Sequence, residues 1–324
     1  MNNHLKPLLL GNTRFENNLI QGPLAGVSCA PFRYLTWQYS KPAFSCSEMI
    51  SCKTLNHQPA FMQKRYVYKD PNEGPVCFQL SANNLQELAE AVQRATAYGA
   101  DLIDLNCGCP VKKIRSRGAG SALLTQPSLI YQLIRTMKQN THLPISIKIR
   151  VEHPNEKFNH DLAKAINDAQ ADFLIVHGRH WTEHYETPCR HDQIAFFVNE
   201  MSMPVIGNGD IHCIESLKCM FETGCAGIMI ARAGVGQPWL IAKLIAELQG
   251  NKFKPPATQE IGQIFVEHVT RLISLLENEK FAILQARKLA KYYARPIQNR
   301  TAFCEKLNEC QDMNTLTQLV FNYF

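Results

Sequence analysis

The chain has 324 residues, 45% of them apolar and 19% charged, which is enough for one large domain of roughly 200–250 residues plus a smaller one. This near-average globular composition excludes wholesale disorder, collagen and coiled coil, and no run approaches the ~18 uninterrupted apolar residues of a membrane helix. A net charge of +6 suits an anionic partner without locating it. The apolar run Leu8-Leu9-Leu10 is too short for a secretory signal, and twelve scattered cysteines without an export signal point to reduced thiols, so a cytoplasmic protein is expected.

In chain order, short apolar or β-branched runs predict strands at 19–22, 43–46, 76–80, 102–106, 145–149, 173–177, 205–208 and 227–231. Amphipathic stretches between them predict helices, clearest at 84–98, 127–139, 159–170, 192–201, 214–222 and 238–248. Strands alternating with helices in this way argue for a parallel sheet closed as a (β/α)8 TIM barrel, an α/β fold. Residues 8–20, with Gly11-Asn12 inside them, read as a small hairpin plugging the barrel floor. The rival architecture, an open doubly wound sheet, carries G-x-G-x-x-G after its first strand, whereas this chain has Gly22-Pro23-Leu24-Ala25-Gly26 there. Phe253-Lys254-Pro255-Pro256 reads as a linker, and no strand signal follows it. The predicted division is a barrel over 1–250, a linker over 251–258 and a small all-helical domain over 259–324, with helices at 261–277, 281–294, 304–308 and 313–324.

Barrel enzymes carry their chemistry at the C-terminal strand ends. In order, those ends hold Pro23-Leu24-Ala25, Ser47-Glu48-Met49, Gln79, Asn106 to Cys109, Lys148 with Arg150, His177 with Arg179, Asn208-Gly209-Asp210, and Ala231-Arg232. The last two suit a phosphate: Gly209 lets backbone approach a ligand, and Arg232 offers a fork, the alternative being a turn and a salt-bridged arginine. Lys148 points into the barrel mouth, where it can stabilise an anionic ring such as a reduced flavin, or else it snorkels to the rim. Cys109, in a turn between Gly108 and Pro110, can exchange a proton with a ligand or be inert. His177 can hydrogen-bond a ligand or satisfy the core. Cys107 and Cys109 are spaced C-x-C with no answering pair, so no metal site is expected.

Two basic segments locate the positive charge. Lys112, Lys113, Arg115 and Arg117 follow the Cys109 turn with no acid among them. Arg287, Lys288, Lys291 and Arg295 fall near one helical face beside Tyr292. Each segment alone suits a solvated face, but together they favour RNA.

Pro23-Leu24-Ala25-Gly26, Asn106-Cys107-Gly108-Cys109-Pro110, Lys148-Ile149-Arg150, His177-Gly178-Arg179, Asn208-Gly209-Asp210-Ile211 and Met229-Ile230-Ala231-Arg232 resemble, in order and spacing, the bacterial tRNA-dihydrouridine synthase family. Ala286-Arg287-Lys288 with Tyr292 and Tyr293 resembles its tail motif, and Ser47-Glu48-Met49 is most similar to the B-type subgroup. The resemblance implies an FMN-dependent barrel with a helical tRNA-binding domain. NADPH would reduce the flavin, hydride would pass to carbon 6 of a uracil, and Cys109 would protonate carbon 5. Flavin contacts would fall to Pro23, Leu24, Ala25, Gln79, Lys148, His177, Asn208, Gly209, Asp210, Ala231 and Arg232. Contacts to tRNA would fall to Asn106, Lys112, Lys113, Arg115, Arg287, Lys288, Lys291, Tyr292 and Arg295. A monomer without membrane or metal is expected. The chain departs from the family pattern at Leu24, usually Met, at Ala231, usually Gly, at Gly207, usually Ala, and at His180, commonly Thr. Two other readings share the barrel: a small-molecule flavin oxidoreductase of the dihydroorotate dehydrogenase type, and a non-catalytic tRNA-binding protein.

Overall fold

The computed structural model describes residues 4–151 and 156–324. The chain opens with an antiparallel pair, β1 (Leu8–Leu10) and β2 (Thr13–Phe15), turned at Gly11, whose φ of +54° lies in the left-handed region. It then runs through β3 (Leu19–Gln21), α1 (Ala30–Ser40), β4 (Ser45–Cys46), β5 (Ile50–Ser51), α2 (Cys52–His57), α3 (Ala60–Val67), β6 (Val76–Ser81), α4 (Leu85–Ala97) and β7 (Leu102–Cys107). Next come α5 (Lys112–Arg115), a 3-10 turn at Gly120–Thr125, α6 (Pro127–Asn140), β8 (Ile145–Arg150), α7 (Glu156–Ala169), β9 (Phe173–His177), α8 (His191–Glu200), β10 (Val205–Asn208), α9 (Ile214–Phe221) and β11 (Gly227–Ile230). A 3-10 turn at Arg232–Gly234 and α10 (Leu240–Leu248) finish the barrel, and α11 (Thr258–Leu276), α12 (Glu279–Tyr293), α13 (Arg300–Glu309) and α14 (Met313–Tyr323) follow.

Among the described residues, β3, β4, β6, β7, β8, β9, β10 and β11 pair in parallel in that order, and β11 pairs back to β3. This ring is the expected TIM barrel, and its predicted strands are offset by a residue or two at their ends. The predicted second strand ends at Cys46 as expected but starts two residues later, at Ser45, and the chain pairs again with β6 at β5, which was not expected. Between them Glu48 is drawn aside, accepting from the Gly26 N–H (2.8 Å) and from Arg65 (2.9 Å).

Alternation along each strand sorts the barrel into an outer and an inner core. Val76, Phe78 and Leu80, then Ile103 and Leu105, then Ile145, Ile147 and Ile149 face outward against the helices. Inward, the lower half is apolar: Ile20, Phe44, Cys46, Cys77, Leu102, Phe173, Ile175, Ile206 and Met229 pack with Leu8, Leu10 and Phe15 of the hairpin, which seals the floor as predicted. The upper half of the same faces carries Gln79, Asp104, Asn106, Ser146, Lys148, Arg150, His177 and Asn208. The site is therefore built on this polar upper half.

Helix α1 has no counterpart in the predicted elements. It buries Phe32 and Leu35 but also Arg33 and Thr36, so it shows no clean apolar stripe. It packs between α10 and α11, joining the barrel to the helical unit through Phe265, Leu272, Ala286, Leu289 and Tyr293. Fully buried Arg33 holds the segment after β3 in place, with its guanidinium on Glu73 (2.9 Å), the Ser28 carbonyl (3.0 Å) and the Tyr68 carbonyl (2.7 Å). A charge at that depth is tolerated because each donor is paired.

Leu10 is fully buried in the floor seal, so Leu10→Ala is expected to cost about 2–5 kcal/mol of stability in a urea titration. An unchanged midpoint would show that the hairpin is not part of the core.

Candidate active site

The strand ends surround one cavity of about 800 Å³, within the roughly 300–1,000 Å³ usual for ligand clefts. Its floor is Gln79, Asn106, Lys148, His177, Asn208 and Met229 from the barrel interior. Its walls are Pro23, Leu24 and Ala25 after β3, Cys109 after β7, Gly209 and Asp210 after β10, and Ala231 and Arg232 after β11. Tyr292 and Arg295, at and beyond the end of α12, reach in from the helical unit. The structure thus gathers Cys109 and the eleven residues expected around the flavin into one site.

Lys148 is half-buried and donates to Asn208 Oδ1 at 2.9 Å, while the Asn208 amide donates to the Met229 carbonyl at 2.8 Å. Desolvation lowers the lysine's pKa to about 8 against the opposing pull of Asp104. His177 is buried, and desolvation together with Lys148, Arg150, Arg179 and Arg232 holds its pKa well below the ordinary histidine range, so the ring is neutral. The charged lining of the cavity, among the described residues, is Lys148, Arg150, Arg179, Arg232, Arg295 and a single carboxylate, Asp210.

That carboxylate is already engaged. Asp210 accepts from Arg179 (2.5 Å) and the Cys189 N–H (3.0 Å), and Arg232 stands 3.6 Å away. Arg179 is itself 1% exposed and also donates to the carbonyls of Thr187 and Tyr185. It therefore pins the 181–190 segment to the strand end. Arg232 lies 3.6 Å over the Tyr185 ring, which holds its guanidinium at the mouth. Gly209 has φ +141°, and a Cβ there would stand 2.4 Å from Cys189 Sγ, so only glycine fits this turn. The cation-rich lining fits an anionic ligand with a phosphate and a ring that becomes negative.

The catalytic candidate Cys109 is half-buried, and its turn is held at several points. Asn106 Oδ1 accepts from the N–H of Cys109 (2.9 Å) and Gly108 (3.3 Å), and the Cys109 carbonyl accepts from Ser121 Oγ (3.0 Å) and the Ser121 N–H (3.0 Å). Gly120 packs so closely under this turn that a Cβ would meet the Cys109 carbonyl at 2.8 Å.

The basic segments are less uniform than their spacing implies. Lys112 and Lys113 are exposed on α5, but Arg115 donates to Ser121 Oγ (2.8 Å) and stacks 3.3 Å from the centre of the Trp181 ring. Lys288 and Lys291 on α12 and Arg295 just beyond its end are exposed, with Lys291 and Arg295 flanking the Tyr292 ring. Arg287 does not join their face; one residue's rotation turns it toward α13, where it donates to the Cys310 carbonyl at 3.4 Å.

Several participants were not singled out in the sequence. Asp104 and Ser146 lie inward on β7 and β8, one alternation below Asn106 and Lys148, a signal visible only once those strands face a shared interior. Tyr185 and Trp181 fall in an irregular segment without periodicity. Among the described residues, no group of three or more His, Cys, Asp or Glu is placed to hold a metal ion, and no helix is long and apolar enough to cross a membrane.

A family model described as "Dihydrouridine synthase (Dus)" matches residues 20–322. The chain is 32% identical over 305 residues to a probable tRNA-dihydrouridine synthase 1 of Synechocystis sp., covering 93% of this chain and 85% of that one. It is 31% identical over 318 residues to tRNA-dihydrouridine synthase B of Vibrio cholerae, covering 97% and 98%. Two solved structures share the fold alone: a variant of NCR from Zymomonas mobilis (TM-score 0.55, 12% identity) and TcOYE with pHBA (TM-score 0.56, 11% identity), each covering 81% of this chain and 96% of the other. With a barrel-mouth site of this kind, the chain is a flavin-dependent oxidoreductase. It belongs to the dihydrouridine synthase family.

Proposed function

We propose that this protein reduces the carbon 5–carbon 6 double bond of a uridine in tRNA, with FMN as its bound flavin and NADPH as reductant. The observation that carries the reading is that Cys109 and Lys148, at the ends of neighbouring strands, line the same cation-rich cavity. Reduced FMN held there would supply the hydride for carbon 6. Lys148, Gln79 and His177 lie on the side where the ring would rest, and Arg232 with the Gly209-Asp210 backbone would take the phosphate. The Asp210 side chain, held by Arg179, is not free for that role. Ala231, where the family pattern has glycine, leaves backbone donors intact.

The thiol of Cys109 donates the proton to carbon 5, completing the addition of two hydrogens. A uridine reaches the cavity only by leaving the RNA stack, and the chain offers cations to hold the backbone around it. These are Lys112 and Lys113 beside the Cys109 turn, Lys288 and Lys291 on α12 and Arg295 just past its end, with Tyr292 at the mouth to stack on a base. Arg115 and Arg287 are partly committed to protein contacts and contribute less. Asn106 meets the substrate side from the cavity floor. In this reading residues 1–250 form the catalytic domain, 259–324 the tRNA-binding domain, and the enzyme acts as a cytoplasmic monomer.

Purified protein with FMN, NADPH and unmodified tRNA is expected to add 2 Da to one uridine, mapped by fragment mass spectrometry, and Cys109→Ala is expected to lose about 10²–10⁴-fold in that rate while still binding tRNA. No added mass from a yellow protein that bleaches with NADPH would instead indicate a small-molecule oxidoreductase. Charge reversal at Lys288 and Lys291 is expected to weaken tRNA binding and spare flavin binding; equal loss of both would mean that α12 is purely structural. With its pKa lowered to about 8, Lys148 loses its proton as pH rises through that value. An anionic ligand favours the protonated form, so FMN affinity is expected to fall as pH rises past about 8, by up to tenfold per unit. Lys148→Met should abolish that slope, and a slope surviving in the variant would reject the assignment.

A further inference from the structure

Beneath the cavity lies a buried side chain that does not line it. Asp104 is fully buried at the centre of β7, between Leu102 in the apolar lower layer and Asn106 on the cavity floor. Its Oδ1 accepts from Ser146 Oγ (2.6 Å) and its Oδ2 from Gln79 Nε2 (2.8 Å). Gln79 Oε1 in turn accepts from Asn106 Nδ2 (2.8 Å), and Asn106 Oδ1 accepts from the Cys109 and Gly108 N–H groups. The charged and titratable groups facing Asp104 are Lys148 on β8 and the thiol of Cys77 on β6.

The direction of this chain is not arbitrary. An amide can present either its oxygen or its nitrogen, and nothing within Gln79 or Asn106 selects one. Asp104 presents an acceptor oxygen to Gln79, so Gln79 must turn its NH2 downward and its oxygen upward. Asn106 must then turn its NH2 to Gln79, which leaves its oxygen for the N–H groups of the Cys109 turn. Reversal of Asn106 would set donor against donor at that turn, and reversal of Gln79 would set donor against donor at Asn106 and acceptor against acceptor at Asp104.

We propose that Asp104 is a positioning residue for proton donation: it fixes the polarity of a Gln79–Asn106 relay and so the placement of the Cys109 thiol. The inference deepens the uridine-reduction reading and rests on it for its kinetic consequence. A thiol displaced by about 1 Å costs on the order of 10²-fold in rate.

The test uses the FMN-loaded enzyme and separates reduction of the flavin by NADPH from reduction of uridine in tRNA. Asp104→Leu removes the acceptor and is expected to lose about 10²-fold in uridine reduction, with flavin content and flavin reduction kept. Asp104→Asn can still present its oxygen to Gln79 and its NH2 to Ser146, so it should rescue to within tenfold of wild type. Gln79→Glu sets two carboxylates face to face and should lose activity. Asp104→Asn in that background restores a donor below and leaves an acceptor above, so the double variant should recover most of the loss.

Alkylation of Cys109 by iodoacetamide, followed by peptide mass, reads the turn without turnover and should change in Asp104→Leu and Gln79→Glu alone. Wild-type uridine reduction in Asp104→Leu, equal losses in Asp104→Leu and Asp104→Asn, or a double variant no better than Gln79→Glu would overturn the relay. Should wild type itself reduce no uridine, the functional reading fails, and the alkylation pattern alone then upholds or overturns the relay.

Discussion

A ring of eight strands leaves an interior just wide enough for side chains, so every polar group turned inward must find its partner there or in a ligand. The lower half of this barrel meets the constraint by being apolar and sealed by the hairpin. The upper half meets it with hydrogen-bonded amides, a hydroxyl, one carboxylate, one ammonium, one guanidinium and a neutral imidazole. Burial raises the Asp104 pKa to about 6 and lowers that of Lys148 to about 8, so each charge is held at a cost and the two oppose one another's neutralisation. A polar layer so placed is a poor device for stability and a good one for a binding site. It presents a preorganised cationic floor that loses little on meeting an anion.

The segments above the barrel are irregular, and their order comes from two buried arginines. Arg33 ties the segment after β3 to the Glu73 region, and Arg179 gathers the 181–190 segment onto Asp210. In each case one guanidinium satisfies several carbonyls and a carboxylate, so removing it would leave an uncompensated charge and orphaned acceptors together. Cation–ring stacks, Arg115 on Trp181 and Arg232 on Tyr185, then set which way the rim side chains face. The helical unit joins the site through α1, and Tyr292 and Arg295 complete a cavity that the barrel alone would leave open.

Most of the architecture was legible in the sequence. Outward faces such as Ile145, Ile147 and Ile149 declared the strands, and the chemistry at their ends declared the catalytic face. The return to pairing at β5 was missed because Glu48 separates it from β4 through contacts to Gly26 and Arg65, both distant in sequence. Helix α1 was missed because burial on several sides erases the stripe on which periodicity depends. Spacing placed Arg287 with Lys288 and Lys291, but neighbours in sequence differ by about 100° around a helix, and α13 captures the odd one.

By itself the sequence determined the alternation of eight barrel strands with helices, the closed barrel, the cluster of reactive groups at one end and the basic character of the tail. All of these follow from local alternation, turn residues and charge, which the chain carries wherever it folds. Only the tertiary structure decided that Asp104 lies under Gln79 and Asn106, that Asp210 is spent on Arg179, and that Arg115 stacks on Trp181. Those pairings join residues from different strands and loops, and a side chain's hydrogen-bond partner is set by what closure of the ring brings within about 3 Å, which no one-dimensional pattern encodes.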